Sequence, residues 1–118
     1  NIPMPNSRAT NLYPKPTPGV GDRQVTTDSS SGDLFGTGGT TVAAGNSAAF
    51  NSLTRYIVLD VQVADVRVTF DGVAPTTSVG HILFAGRSYT FAKETALAML
   101  IINDTSTNAT IHASEFTD

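Results

Sequence analysis

The sequence contains no cysteine and no tryptophan, and it has few charged residues. Without cysteine the chain can form neither disulfide bonds nor thiolate metal sites, and thiol catalysis is excluded. Charged residues make up 14% of the chain, against roughly 25% in an average soluble protein. The net charge is −3 and the basic residues are dispersed, so no basic field would attract a nucleic acid. No apolar run approaches the ~18 residues of a membrane-spanning helix, and we expect no membrane partner.

Convergent titratable residues, which enzymes need, are also scarce. The two histidines, His81 and His112, fall at strand-end or outward-facing positions, where a histidine is usually a surface residue. The glycine-rich stretch Gly36–Thr40 lacks the lysine and the following helix of a phosphate-binding loop. We therefore expect a non-enzymatic protein with no catalytic residues, no cofactor and no metal site.

Proline and glycine are concentrated in the first half of the chain. Five of the six prolines lie before residue 19, and seven of the ten glycines lie before Phe50. A segment of this composition cannot form a packed core by itself, but an extended backbone with apolar side chains at intervals suits a groove on a partner. We predict that residues 1–49 form an extended arm, and a disordered tail or a simple linker is the alternative. The predicted partner-binding anchors of the arm are Ile2, Met4, Leu12, Tyr13, Val20, Leu34 and Phe35.

From residue 50 onward the pattern changes to alternating strands and turns, which predicts a β-domain over residues 50–118. Strands are predicted at residues 56–63, 66–70, 81–84, 88–91 and 109–116. The first strand places Leu59, Val61 and Val63 on one face. The apolar positions change phase before the second strand, which predicts a tight turn or bulge at Ala64-Asp65.

One further segment, residues 96–102, is apolar on both faces. Its short length favours a strand buried on both sides over a helix, and no helix is predicted elsewhere. The predicted fold class is all-β, a small β-sandwich of immunoglobulin-like or barrel-like type preceded by the extended arm. The residues predicted to be buried include Val61, Val66, Val68, Phe70, Leu100 and Ile111.

The stretch from Ala64 to Gly80 contains the pattern Thr69-x-Asp71-Gly72-x-x-Pro75-Thr76. It resembles the immunoglobulin-like accessory domains appended to some chitobiases and other surface glycosidases. This resemblance implies a carbohydrate-binding or accessory module, which we keep as an alternative. A glycan-binding domain is expected to expose aromatic platforms, and the absence of tryptophan argues against one.

A second resemblance covers the chain from Arg55 to the C-terminus, including Val66–Gly72 and Ala109–Phe116. This region resembles small virion proteins of tailed bacteriophages, which are similar to capsid cement or decoration proteins. The resemblance implies a structural protein on the capsid surface of the virion, with the major capsid protein as its partner. A head–tail adaptor or tail component is the alternative within the same class.

The predicted β-domain is small and has no cross-link, so its independent stability is expected to be marginal. Association with other copies would add buried surface and cover strand edges. We therefore expect a homo-oligomer. The resemblance to cement proteins implies a trimer as the first expectation.

Overall fold

The computed structural model describes residues 15–43, 46 and 48–117. Its strands are β1 (Arg23–Thr26), β2 (Thr41–Val42), β3 (Tyr56–Gln62), β4 (Val66–Thr69), β5 (His81–Leu83), β6 (Ser88–Ala92), β7 (Leu100–Asn103) and β8 (Thr110–Phe116). One helix is present in this described part of the chain, α1 (Lys93–Leu97). The described part of the chain is therefore all-β apart from one short helix, which confirms the predicted fold class.

The strands form two antiparallel sheets that pack against each other. One sheet has five strands in the order β2-β1-β8-β3-β6, and the other has three strands in the order β5-β4-β7. Residues from both sheets, such as Leu59 of β3 and Val68 of β4, belong to one apolar cluster. This arrangement of two sheets around a shared core is a small β-sandwich.

The core follows from strand alternation. Burial alternates strictly along β3 and β8, because successive side chains of a strand point to opposite faces. Val61 lies opposite Ile111 in the register. The fully buried apolar side chains are Val25, Leu34, Ile57, Leu59, Val61, Val66, Val68, Ala96, Met99, Ile101, Ala109 and Ile111. The predicted burial of Val61, Val66, Val68 and Ile111 is confirmed.

A tight turn between β3 and β4 explains the change of apolar phase. The Ala64 amide donates to the Gln62 carbonyl oxygen at 3.0 Å, and the residue between them, Val63, has a φ of +78°. This confirms the predicted turn. The sequence predicted that Val63 shares the buried face of Leu59, and this is wrong. The strand ends at Gln62, one residue before Val63, and leaves Val63 71% exposed.

The predicted strand over residues 96–102 is wrong in its first half. Helix α1 ends at Leu97, and β7 begins only at Leu100. Alanine and leucine are good helix formers, and a short helix after β6 carries the chain from one sheet to the other. Leu100, predicted to be buried, is half-buried because the neighbouring Ile101 occupies the inward position of β7.

Phe70 is half-buried and is not part of the fully buried core. It follows the last residue of β4, where the two sheets meet beside the β5 and β6 strands. Its ring centroid lies 5.9 Å from that of His81 and 5.5 Å from that of Phe91. Phe70 therefore covers the margin of the core, whereas the sequence predicted that it is buried.

The predicted boundary between arm and domain, at residues 49 and 50, does not coincide with a structural boundary. Strands β1 and β2 belong to the five-stranded sheet, and β1 pairs with β8 over four residues. Farther along, Gly32 exchanges backbone hydrogen bonds with Ile101 of β7, at 3.0 and 2.7 Å. The described residues from 15 to 43 are therefore part of the β-sandwich. The preceding residues 1–14, which hold most of the predicted extended arm's prolines, lie outside the described residues.

Candidate functional site at the base of the N-terminal arm

The first described residues of the chain are fixed to the end of β8. The Thr17 amide donates to the Glu115 carbonyl oxygen at 2.8 Å, and the Thr117 amide donates to the Lys15 carbonyl oxygen at 2.9 Å. Pro16 forms a bridge to Phe116 between these bonds. Residues 15–17 therefore run antiparallel to the last residues of β8, and they form the base of the arm.

Two charged residues lie at core-facing positions next to this base. Arg23 of β1 and Glu115 of β8 are 5% and 4% exposed. Each is in phase with apolar residues of its own strand, Arg23 with Val25 and Glu115 with Ala113. The Arg23 Nη2 atom lies 3.8 Å from the Glu115 Oε2 atom. A buried charge is tolerated only when it is paired and hydrogen-bonded, so both residues need further partners.

The partners of Arg23 come from two loops. Its guanidinium donates to the carbonyl oxygens of Leu34 at 3.2 Å and Ala48 at 2.6 Å, and also to the Asn46 carbonyl oxygen. The Phe35 and Phe50 rings lie 4.9 and 5.2 Å from the guanidinium carbon. One side chain thus joins the loop after β1 to the loop before β3.

Burial lowers the pKa of Arg23, while the nearby charges of Glu115 and Asp33 act in the opposite direction. An arginine remains protonated because its ordinary pKa is so high. The carbonyl oxygens around Arg23 are hydrogen-bond acceptors and therefore match the charged guanidinium. Among its polar atoms only the buried Nε has no partner in the described part of the chain.

Glu115 is held by a second set of contacts that includes the base of the arm. Its Oε1 atom accepts from the Asn51 amide at 2.8 Å and from the Thr54 hydroxyl at 2.7 Å. The Thr17 and Thr54 hydroxyl oxygens are 2.9 Å apart. Because the Thr54 proton is directed to Glu115, the Thr17 hydroxyl is the donor in that contact. A continuous polar chain therefore joins Thr17, Thr54, Glu115 and Arg23, and we call these four residues the clamp.

A cleft of about 210 Å³ opens beside the clamp, with Val20, Asn46 and Asn51 in its walls. Arg23 and Glu115 also line the cleft, but their charged groups are directed mainly to other parts of the chain. This geometry holds loops and the arm base in place. The Thr54 hydroxyl that lies beside the Glu115 carboxylate is buried and donates to it, so this geometry gives no basis for assigning a catalytic reaction.

The predicted anchors fall into two groups. Ile2, Met4, Leu12 and Tyr13 lie outside the described residues. The others belong to the domain: Leu34 is fully buried in the core, Phe35 is half-buried against Phe50, and Val20 is half-buried beside the cleft. The burial of Leu34 removes it as an exposed anchor, because its side chain already packs inside its own chain.

The two histidines and the glycine-rich stretch do not belong to the clamp. His112 Nδ1 lies 2.6 Å from an Asp22 carboxylate oxygen at the surface, and His81 is exposed beside Phe70. In the Gly36–Thr40 stretch, the Thr37 amide is occupied by the Asp33 carboxylate at 2.9 Å. Within residues 15–43, 46 and 48–117, no three histidine, aspartate or glutamate side chains are placed to share a metal ion. Nor does the helix in this part have the length and apolar character to span a membrane.

The clamp was not predicted, although the amino-acid sequence contains a signal for it. In Thr110–Phe116, Glu115 stands at the same alternate positions as Ile111 and Ala113, and in Arg23–Thr26 the arginine shares its phase with Val25. A charge in the apolar phase of a strand indicates a buried ion pair or a functional site. The pairing of two such charges required the β1–β8 register, which lies outside local pattern analysis.

The chain matches no protein-family model, no curated protein sequence and no solved structure. Its function must therefore be inferred from its own residues and geometry.

Proposed function

We propose that this chain is a structural virion protein of the capsid cement or decoration type. In this proposal the β-sandwich lies on the outer surface of a phage head, and the arm of residues 1–14 binds the major capsid protein and neighbouring copies. The chain acts without enzymatic activity, cofactor or nucleic acid. The resemblance of the region from Arg55 onward to small virion proteins supports this class.

The observation that carries the proposal is the attachment of the arm base to the centre of the larger sheet. Backbone hydrogen bonds join residues 15–17 to β8, and the clamp adds the Thr17 to Thr54 contact. Strand β8 is itself paired on both sides, with β1 and β3. A force applied to the arm is therefore transmitted to three paired strands, as a tether that holds a particle together requires.

The surface supplies a second, weaker argument. Val63 and Phe84 are 71% and 47% exposed, and they lie on neighbouring turns joined by the hydrogen bond from the Ala85 amide to Asp65 Oδ1, at 2.8 Å. The Arg87 guanidinium lies 5.6 Å above the Phe84 ring. Exposed aromatic and arginine side chains are typical of protein–protein contacts.

The alternative of a glycan-binding module finds less support in the same surface. Among the described aromatic residues only Phe84 is exposed, and an arginine lies over its ring. The others are buried or half-buried. A sugar-binding platform needs an open ring face, so we keep the virion role as the proposal.

Co-sedimentation with capsid shells tests this function. Shells assembled from the major capsid protein of the genome that encodes this chain are mixed with purified chain and pelleted. We expect saturable binding and an increase in the temperature at which the shells dissociate. Failure of the full chain to bind mature or expanded shells would contradict the cement role, and binding to tails instead would favour the adaptor or tail alternative.

A further inference from the structure

Strand β6 has an open edge. It pairs with β3 on one side only, and no other strand pairs with it in the described part of the chain. The other described strands of four or more residues have a neighbour on both sides. For β7 the second neighbour is Gly32, which forms a bridge to Ile101. Strands β2 and β5, at two and three residues, offer shorter edges.

The register identifies the backbone groups on this edge. The Lys93 amide donates to the Arg55 carbonyl oxygen and the Val61 amide to the Arg87 carbonyl oxygen, both at 3.0 Å. In an antiparallel pair, hydrogen-bonded positions alternate, so the backbone groups of Tyr89 and Phe91 face β3. The amide and carbonyl groups of Ser88, Thr90 and Ala92 consequently face outward.

Within β6, this edge lacks the charged and proline residues that protect many strand edges from pairing. Ser88, Thr90 and Ala92 are exposed, and β6 contains no charged residue and no proline. Natural proteins normally shield such an edge with a charge, a proline, a bulge or a covering segment. Beside it, Phe70 and Phe91 form a tilted pair that the chain leaves half-buried. An added strand would satisfy the backbone groups and cover these rings.

The arm contains a segment suited to this position. Prolines interrupt it at Pro3, Pro5 and Pro14, and the eight residues Asn6–Tyr13 between them contain none. They would span about 26 Å as a strand, which is longer than β6. The segment ends in two adjacent large side chains, Leu12 and Tyr13. Because successive side chains of a strand alternate between faces, one of the two lies on the same face of the sheet as Phe91 in any register.

The direction of the arm base favours a neighbouring copy as the recipient. Residues 15–17 run antiparallel to β8, so toward residue 14 the chain points past the end of β8 and out of its own sheet. To reach its own β6 it would have to reverse direction at once. Pro14 and Pro16 flank Lys15, and proline fixes φ and restricts the preceding residue to extended conformations, which opposes a tight reversal there.

We infer that residues Asn6–Tyr13 of one copy add as a strand to the outer edge of β6 in a neighbouring copy. The inference rests on the proposed function, in which copies lie side by side, and it specifies the contact between them. The added strand covers the exposed edge of β6 and extends the five-stranded sheet to six strands from two chains, as in other cases of strand addition.

Disulfide trapping tests this contact, since the chain has no cysteine of its own. A Thr90→Cys copy is mixed in turn with four arm variants, Arg8→Cys, Ala9→Cys, Thr10→Cys and Asn11→Cys, and oxidised. The control is a Thr77→Cys copy, whose cysteine lies in an exposed loop, used in place of the Thr90→Cys copy. At one or more arm positions we expect about ten-fold more mixed dimer with Thr90→Cys than with this control, because docking raises the effective concentration of the two thiols. Mass spectrometry identifies the linked peptides.

Two outcomes would overturn the inference. One is mixed-dimer yields at every arm position equal to those of the Thr77→Cys control. The other is a disulfide that forms within single chains carrying both cysteines, at a rate independent of dilution, without mixed dimers. Shell binding by the full chain is measured separately, so loss of the cross-link with retained binding refutes this contact and leaves the proposed function standing.

A proline variant gives an independent readout. Thr90→Pro removes one outward amide and leaves the bonds to β3 in place, whereas Thr90→Val keeps the amide and serves as the control. The thermal midpoint of each variant checks that it is folded. We expect the Thr90→Pro chain to lose the larger species in light scattering and the Thr90→Val chain to keep it. Equal masses for both folded variants would contradict the inference.

Discussion

The two margins of the five-stranded sheet are finished in different ways. On the β1 side, where the edge strand β2 has only two residues, the chain closes the margin with its own residues: Gly32 bridges to β7, and Arg23 joins the surrounding loops. On the β6 side, no described strand lies beside the outward backbone groups, and the Phe70–Phe91 pair is half-buried. The first margin stabilises the domain, and in our proposal the second serves assembly.

The largest expected effect lies at the closed margin. Arg23→Met leaves Glu115 buried without its cationic partner and removes the donor from three carbonyl oxygens. We expect the free energy of unfolding to fall by about 3–5 kcal/mol, as for breaking other buried ion pairs. Urea denaturation measures it. The matched control, Arg87→Met at an exposed position, should change stability by no more than about 0.5 kcal/mol. Equal losses in the two variants would contradict the clamp.

Core substitutions compare the centre of the sandwich with its open margin. Ile111→Ala, at a fully buried site, should destabilise the domain by about 2–5 kcal/mol. Phe70→Ala should cost less than the roughly 3–5 kcal/mol of a central aromatic, because its ring is only half-buried. The two unfolding curves are measured side by side. If Phe70→Ala gave the full loss of a central aromatic, our division between core and margin would be wrong.

The hydroxyl contact within the clamp can be tested by itself. Thr54→Val keeps the shape of the side chain but removes the donor to Glu115 and the acceptor for Thr17. Leaving buried polar groups unpaired costs about 1–3 kcal/mol, so we expect a loss of that size. Thr95→Val, in α1, is the control for replacing a threonine hydroxyl by a methyl group. A thermal midpoint for Thr54→Val equal to that of the control would contradict the polar chain.

The smallest expected effect is a gain of stability at the β3–β4 turn. Valine at a φ of +78° is strained, whereas glycine adopts this conformation freely. Val63→Gly should therefore raise the free energy of unfolding by about 1 kcal/mol, since a positive φ costs an ordinary residue roughly 1–2 kcal/mol. Chemical denaturation measures it, and a decrease in stability would show that the exposed valine side chain contributes packing that its exposure does not reveal.

Local patterns in the sequence predicted most of the β-domain. Alternation predicted β3, β4 and β8, and the phase change at Ala64-Asp65 predicted the turn between β3 and β4. Composition gave a wrong prediction for residues whose conformation depends on pairing with a distant strand. Because residues 1–49 are rich in proline and glycine, the sequence predicted an extended arm there. Arg23–Thr26 nevertheless form a strand, because β8 offers a partner edge.

The clamp was beyond prediction for a related reason. Thr17, Arg23, Thr54 and Glu115 are spread over almost the whole chain, and only the sheet order brings them together. Single-strand alternation marks Glu115 as unusual but does not identify its partner. Of the predicted anchors, Leu34 has become part of the core, and Ile2, Met4, Leu12 and Tyr13 remain predictions for the arm.

The most direct measurement of the central claim compares shell binding by three forms of the chain: the full chain, a chain that begins at Lys15, and a full-length chain with serine at the four arm anchors Ile2, Met4, Leu12 and Tyr13. The last form keeps the length and the prolines of the arm. We predict that all three have similar thermal midpoints, because the clamp and the core are intact. Both altered forms should bind shells at least about ten-fold more weakly, a loss of about 1.4 kcal/mol or more. Unchanged affinity of the chain that begins at Lys15 would contradict the account.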